Sequence, residues 1–291
     1  MNSDYTSLSL DRAPEYLELL SRCNCRASDY SLANLWGWAP HYGLQWSFDG
    51  TLCRIRQQRP FPASWAPVGP WEAVDWSKAP DLASGAHFIR VPYALGEIWR
   101  AAAPGRVKIE DSRDQWDYLY LSSELCTLPG NRFHKKKNLL RQFMKNYEYC
   151  YNSMAEACVE TVLNMQAEWC RWRDCESSEA LLAENDAVAR VLTAWNRIPG
   201  LCGGIIRIDD VPVAYTLAEP LCADTLLIHF EKAAPCIKGG YQAINYLFCN
   251  DAGKNFTYIN REQDIGDEGL RQAKMSYNPA DFSRKCSVRT L

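Results

Sequence analysis

One run in this 291-residue chain concentrates groups able to do chemistry: Tyr258-Ile-Asn-Arg-Glu-Gln-Asp-Ile-Gly-Asp-Glu-Gly-Leu-Arg-Gln-Ala-Lys-Met-Ser-Tyr-Asn-Pro. Tyr258-Ile259 ends a strand, and Asn260, Arg261, Glu262 and Asp264 follow at once. Arg271, Lys274 and Tyr277 come next, on a short helix and its stop. Carboxylates attract an ammonium, and Arg or Lys attracts a carboxylate or phosphate, so the run fits a zwitterionic substrate. A salt-bridge network closing the C-terminal half is the structural alternative.

A second constellation is Ile228-His-Phe-Glu-Lys-Ala, followed by Gly239-Gly-Tyr-Gln-Ala-Ile-Asn. Glu231 stands at the end of an apolar strand, where a carboxylate is costly unless paired. Gly239 and Gly240, with Tyr241 after them, open a helix whose free N–H groups can hold an anion. Paired glycines also open many helices that bind nothing, so both readings stand.

The third begins at Pro129-Gly130. Phe133, Leu140, Phe143, Met144 and Tyr147 recur at helical spacing, while Arg132, Lys135, Lys136, Lys137 and Arg141 fall largely elsewhere. Three lysines at a helix start oppose the macrodipole. A basic face of this kind suits phosphates, which need several cations at once; the alternative is a solvated face.

The elements that must carry these groups alternate in period. Helical spacing covers residues 12–38, and Asp49-Gly50 between two alternating runs predicts a hairpin. Prolines at 60, 62, 67, 70 and 80 mark loop. Strands are predicted at His87–Val91, Arg106–Glu110 and Asp117–Leu121, then a long helix from about residue 132 to 149. The order then repeats: helices over 154–173 and 178–196, a hairpin turning at Asp209-Asp210, a strand Thr225–Phe230, a helix from Gly239, and a strand Phe256–Ile259. This predicts a duplicated α/β unit, with domains 1–150 and 151–291. The C-terminal domain is expected to carry the active-site cleft.

Composition narrows the class. Hydrophobic residues make up 47% and charged residues 23%, an ordinary globular balance. A net charge of −3 recruits neither nucleic acid nor membrane globally, so basic contacts must be local. No apolar run approaches a membrane span, and Met1–Arg12 lacks a signal-peptide pattern, which predicts a cytoplasmic protein. Thirteen cysteines, an odd count without C-x-x-C pairs, predict small buried hydrophobes rather than disulfides or a metal site.

Thr127-Leu-Pro-Gly-Asn-Arg-Phe-His-Lys-Lys-Lys-Asn, Phe230-Glu-Lys-Ala, Gly240-Tyr-Gln-Ala-Ile-Asn and the Ile259–Pro279 run resemble the C-terminal catalytic domain of bacterial phosphatidylglycerol lysyltransferases, most of all its stand-alone members. Asp29-Tyr-Ser-Leu-Ala-Asn-Leu-Trp-Gly-Trp fits the same pattern. The resemblance implies an α/β (α+β) fold of two tandem GNAT-like (acyl-CoA N-acyltransferase-like) domains, related to the Fem aminoacyltransferases. Each would hold a mixed, mostly antiparallel sheet with flanking helices. It also implies a transferase taking an aminoacyl group from aminoacyl-tRNA to a small-molecule, peptide or lipid acceptor. The membrane-spanning region of the lipid-modifying members has no counterpart in this sequence.

On that reading Glu231 and Asp264 bind an amine or act as general base. Arg261 and Lys274 hold a donor phosphate or an oxyanion. Asn260, Glu262, Arg271, Tyr277, Gly239, Gly240 and Tyr241 line the substrate. Arg132, Lys135, Lys136, Lys137 and Arg141 track a tRNA acceptor end. Coenzyme A is the alternative donor, although the usual Gln/Arg-x-x-Gly-x-Gly/Ala signature is missing before Tyr241. A non-catalytic ligand- or RNA-binding module is the remaining alternative.

Overall fold

The computed structural model describes residues 4–23 and 25–291, which divide into two compact units. The first holds the described residues through Asp117, with Gln263–Asp267 and Ser283–Leu291; the second holds Tyr118–Glu262 and Glu268–Phe282. In chain order the first half supplies β1 (Thr6–Ser7), α1 (Ala13–Ser21), α2 (Leu32–Tyr42), β2 (Gln45–Phe48), β3 (Cys53–Gln57), β4 (Ala63–Trp65), β5 (His87–Pro92), α3 (Tyr93–Ala102), β6 (Val107–Asp111), β7 (Asp117–Leu121), α4 (Ser122–Thr127) and α5 (His134–Asn146). The second supplies β8 (Tyr149–Ser153), α6 (Val159–Arg173), α7 (Glu179–Thr193), β9 (Cys202–Ile208), β10 (Val211–Cys222), β11 (Thr225–Ala233), α8 (Gly240–Asp251), β12 (Tyr258–Asn260), α9 (Glu268–Met275), β13 (Asp281–Ser283) and β14 (Lys285–Thr290).

The sheet of the first unit runs β1-β2-β3-β4-β5-β14-β6. The Asp49-Gly50 hairpin is present between β2 and β3. Asp49 Oδ1 accepts from the N–H groups of Thr51 and Leu52, and Gly50 takes φ +87°, which glycine adopts without strain. Trp46 faces Ile55 across that hairpin and is buried, as are Tyr16 and Trp99.

This core also encloses charge. Lys285 is fully buried, and its ammonium donates to Asp29 and, at 2.8 Å, to Asp117. Asp29 takes its second cation from Arg90, while Asp117 also accepts from the Ser28 N–H and hydroxyl. Two carboxylates and two cations balance, which is what makes burial of all four tolerable.

The second sheet runs β13-β7-β12-β11-β10-β9-β8. β9 and β10 turn back on each other at Asp209-Asp210, both with positive φ, as a two-residue hairpin turn requires. One cluster, including Tyr118, Tyr120, Ile228, Phe248 and Ile259, fills one end of the helix-covered face; another, including Phe133, Phe143, Ile206, Ala233 and Ile244, fills the other.

The boundary expected near residue 150 is displaced. Cys150 lies in β8, inside the second sheet, and the division falls between Asp117 and Tyr118. Strand pairing sets membership here, not chain order: β7 pairs with β12, and β14 inserts between β5 and β6. The cysteines also need one correction. Cys170 and Cys175 form a disulfide, because Asp174 adopts φ +50° and turns the chain back at the end of α6, leaving their Cα atoms 5.1 Å apart. The remaining cysteines among the described residues are free, with Cys25, Cys53, Cys249 and Cys286 buried as small hydrophobes.

Candidate active site

In the second unit, β11 and β12 are parallel partners only from Thr225↔Tyr258 to Leu227↔Asn260. β12 ends there, while β11 continues to Ala233. The strands therefore part, and among the described residues Ile228–Ala233 have no partner strand on that edge. Arg261, the residue after β12, reaches Glu231 beside this opening: Nη2 and Oε2 are 3.2 Å apart. Asn245 of α8 donates to the same carboxylate oxygen at 3.2 Å. Thr216 lies directly opposite Glu231 on β10, so the two share one face.

This pair is incompletely satisfied. Glu231 Oε1, Arg261 Nη1 and Thr216 Oγ1 are all buried and have no hydrogen-bond partner among the described residues. Buried polar atoms normally find partners, so three orphans on neighbouring groups mark a place for a polar ligand or water. The rings of Tyr277 and Tyr120 lie 4.7 Å and 5.7 Å from the Arg261 guanidinium carbon.

Lys136, near the start of α5, joins the group. Its Nζ sits 4.2 Å from the centroid of the Tyr277 ring. The side chain is half-buried and meets no carboxylate among the described residues. Burial, then the charges of Arg261 and Lys135, push its pKa down to about 8. Two cations and one carboxylate thus converge, leaving one positive charge in excess. Burial likewise pushes the Tyr277 phenol up to about 12, so it stays protonated and can donate.

The other expected residues distribute differently. Lys274 spends its ammonium on backbone: it donates to the Arg261 carbonyl and, at 3.2 Å, to the Glu262 carbonyl. It thus ties α9 to the segment after β12. Asn260 is fully buried and accepts the Glu262 N–H at 2.8 Å. Arg271 is half-buried on α9. Asp264 belongs to the first unit, where its fully buried carboxylate meets Arg113 at 3.3 Å and the Gly266 N–H.

Among the basic residues, Arg132 pairs with Glu124, and Lys135 and Arg141 are exposed. Lys137 is half-buried. The Gly239-Gly240 start of α8 is taken up by packing. A Cβ on Gly239 would overlap the Leu139 carbonyl oxygen of α5, and one on Gly240 would meet Ala233 at 3.1 Å. Two nearby amides have partners: Gly240 N–H donates to the Ile237 carbonyl, and Lys238 N–H to the Tyr147 hydroxyl. Tyr241 accepts from Trp169 Nε1 at 3.2 Å.

Sequence reasoning missed His229 and Glu219. His229 Nε2 lies 3.1 Å from Glu219 Oε1, and Nδ1 lies 3.0 Å from Glu262 Oε1. The available signal was a histidine two residues before Glu231 in an otherwise apolar strand, which also describes an ordinary core histidine. Thr216 and Asn245 gave no signal of their own.

The family described as phosphatidylglycerol lysyltransferase, C-terminal, matches residues 21–288. The chain belongs to this family. Among solved structures, a conserved protein of unknown function from Bacteroides thetaiotaomicron is 28% identical, with a TM-score of 0.88 and 99% of each chain covered. L-PGS from Bacillus licheniformis is 11% identical, with a TM-score of 0.62, covering 95% of this chain and 91% of that one. FemX is 11% identical, with a TM-score of 0.54, covering 99% and 97%.

An uncharacterized protein of Mycoplasmoides gallisepticum is 24% identical over 180 residues, spanning 60% of this chain and 56% of its own length. The fold is the mixed α/β one shared with these solved structures, two sheets flanked by helices. Among the described residues, no helix is long and apolar enough to cross a membrane.

Proposed function

We propose that the second unit is an aminoacyltransferase site, which moves an aminoacyl group from an aminoacyl-tRNA ester to an amine or hydroxyl acceptor. One observation carries this reading. Lys136 has no carboxylate partner among the described residues and sits beside a buried Glu231–Arg261 pair that leaves one atom of each residue unpartnered. Membership of the phosphatidylglycerol lysyltransferase C-terminal family supports the same class of chemistry.

In the reaction the acceptor nitrogen or oxygen attacks the ester carbonyl carbon. A new bond forms there, the ester C–O bond breaks, and the tRNA hydroxyl leaves with a proton. Glu231 Oε1 is free to accept from the donor's α-ammonium, which would orient the carbonyl. Arg261 Nη1 and Lys136 supply positive charge for the developing oxyanion or a terminal phosphate. Lys136 is split between charged and neutral forms near pH 8, so its neutral amine can also receive the acceptor's proton.

The test is transfer from tRNA charged with radiolabelled amino acids to a panel of amines and hydroxyls, with wild type and Lys136→Met. Label transfer that Lys136→Met abolishes supports the proposal. Transfer from acetyl-coenzyme A instead, or tRNA-dependent transfer unaffected by Lys136→Met, would overturn it. The close packing of Gly239 and Gly240 against Leu139 and Ala233 weighs against the coenzyme A outcome.

A further inference from the structure

We propose that His229 is a positioning residue: it bridges the carboxylates of Glu219 and Glu262 as an imidazolium and so clamps the Arg261-Glu262 segment beside the opening between β11 and β12. The proposal rests on reading Glu231 and Arg261 as the transfer site.

The backbone makes room for the clamp. β10 and β11 are in register at Leu217↔Phe230 and again at Ala218↔Ile228, so His229 is skipped by the pairing. A residue left out in this way is re-aimed relative to the regular alternation of the strand. Its ring, fully buried, lies between Glu219 of β10 and Glu262 of the segment after β12.

The ring geometry defines its charge. Each nitrogen faces a carboxylate oxygen, at 3.0 Å and 3.1 Å. Ionised carboxylates only accept, and a neutral imidazole has one N–H. Only the doubly protonated ring donates to both. Burial by itself would lower the pKa, but the hydrogen bonds and charges of Glu219 and Glu262 outweigh it and raise the imidazole to about 9. Beyond Glu219 lies Cys202 of β9, and Lys274 of α9 caps the carbonyls on the far side of Glu262.

Glu262 needs holding. Its φ of +57° is unfavourable for a residue with a long side chain. Its contacts include the His229 ring on its carboxylate, Asn260 Oδ1 on its N–H, and both the Tyr118 N–H and Lys274 Nζ on its carbonyl. Arg261 is the residue before it, and its guanidinium must reach Glu231 and the Tyr277 ring. Fixing the backbone at Glu262 fixes the direction from which Arg261 starts.

The experiment follows ring and guanidinium directly in the full chain, labelled with ¹⁵N histidine and arginine. Both His229 nitrogens should carry protons at pH 7, with a ring midpoint near 9. The Arg261 Nε–H resonance should move with the same midpoint. Glu262→Gln keeps the size of the side chain and leaves the Glu219–His229 contact in place. It should lower the ring midpoint by a unit or more, by analogy with the ~1–3 units an adjacent opposite charge supplies, and shift the Arg261 resonance at pH 7. His229→Gln assigns the ring signals. A single neutral tautomer at pH 7, or an Arg261 resonance identical in wild type and Glu262→Gln, would overturn the clamp. No ligand is needed. If the ring and Arg261 titrate together while no aminoacyl transfer is found, the clamp stands and the transferase reading falls.

Discussion

Glu231 Oε2 and Arg261 Nη2 lie 3.2 Å apart, and each residue keeps its other terminal atom buried without a partner among the described residues. Removing one member leaves the other as an uncompensated buried charge. Glu231→Gln or Arg261→Met alone should therefore lower stability by roughly 3–5 kcal/mol. The double variant should lose less than the sum, with a coupling of about 0.5–3 kcal/mol. Urea denaturation of the four proteins measures this; strict additivity would show that the pair does not interact.

Lys136 should behave in the opposite way. Its ammonium is half-buried without a carboxylate among the described residues, so Lys136→Met removes a desolvated charge and keeps the apolar stem. The melting temperature should stay the same or rise by a few degrees, corresponding to ~1 kcal/mol or less. The reactivity of Lys136 should also stand out. Its amine should be modified by an amine-selective reagent with a midpoint near pH 8. Peptide mapping across a pH series checks this, and a midpoint at the ordinary lysine value of ~10.4 would remove the basis for assigning Lys136 a proton-accepting role.

A stability profile should expose the buried histidine. The folded-state pKa of His229 is raised above its unfolded value of 6.5, to about 9. The stabilisation it contributes is then fully present below pH 6.5 and is lost as pH rises through 9. The amount is on the order of 3 kcal/mol. Chemical denaturation on either side of this window, at about pH 6 and about pH 9.5, should show a larger drop for wild type than for His229→Gln. Equal drops would place the ring in a neutral state throughout.

Gly239 should tolerate no side chain. Its φ is +82°, and a Cβ would overlap the Leu139 carbonyl oxygen of α5. Gly239→Ala should destabilise by more than ~1 kcal/mol and push α5 away from α8. Gly85, also at positive φ, has nothing within 4 Å of the place a Cβ would occupy, so Gly85→Ala carries only the backbone penalty. Comparing the two melting temperatures isolates the cost of the clash.

Glu231 and Arg261 drew notice in the sequence as charged residues in or just beyond apolar strands, Lys136 as part of a basic helix start and Tyr277 as part of a helix stop. Glu231, Arg261, Tyr277 and Lys136 come from three separate motifs, and the structure brings them together. Asp264 was grouped with them by proximity in sequence, yet by Gln263 the chain has passed into the other unit. His229 escaped notice because a register shift between β10 and β11 re-aims it, and register is a property of pairing that one strand's pattern does not reveal. The domain limits escaped for a similar reason. β7 reads as a plain strand, no strand is predicted over Lys285–Thr290, and nothing in either stretch states which sheet it joins.

The place of β14 has a consequence for synthesis. It lies between β5 and β6, and its first residue, Lys285, supplies the ammonium shared by Asp29 and Asp117. A ribosome making this chain releases β1 to β6 long before residues 285–290 emerge. Until they do, β5 and β6 each show an unpaired edge, and Asp29 and Asp117 lack the ammonium of Lys285, Asp29 keeping only Arg90. Such edges invite association with other nascent chains. The first unit thus begins to be translated before the second but can close only after it, and its exposure to chaperones should span the synthesis of residues 118–282.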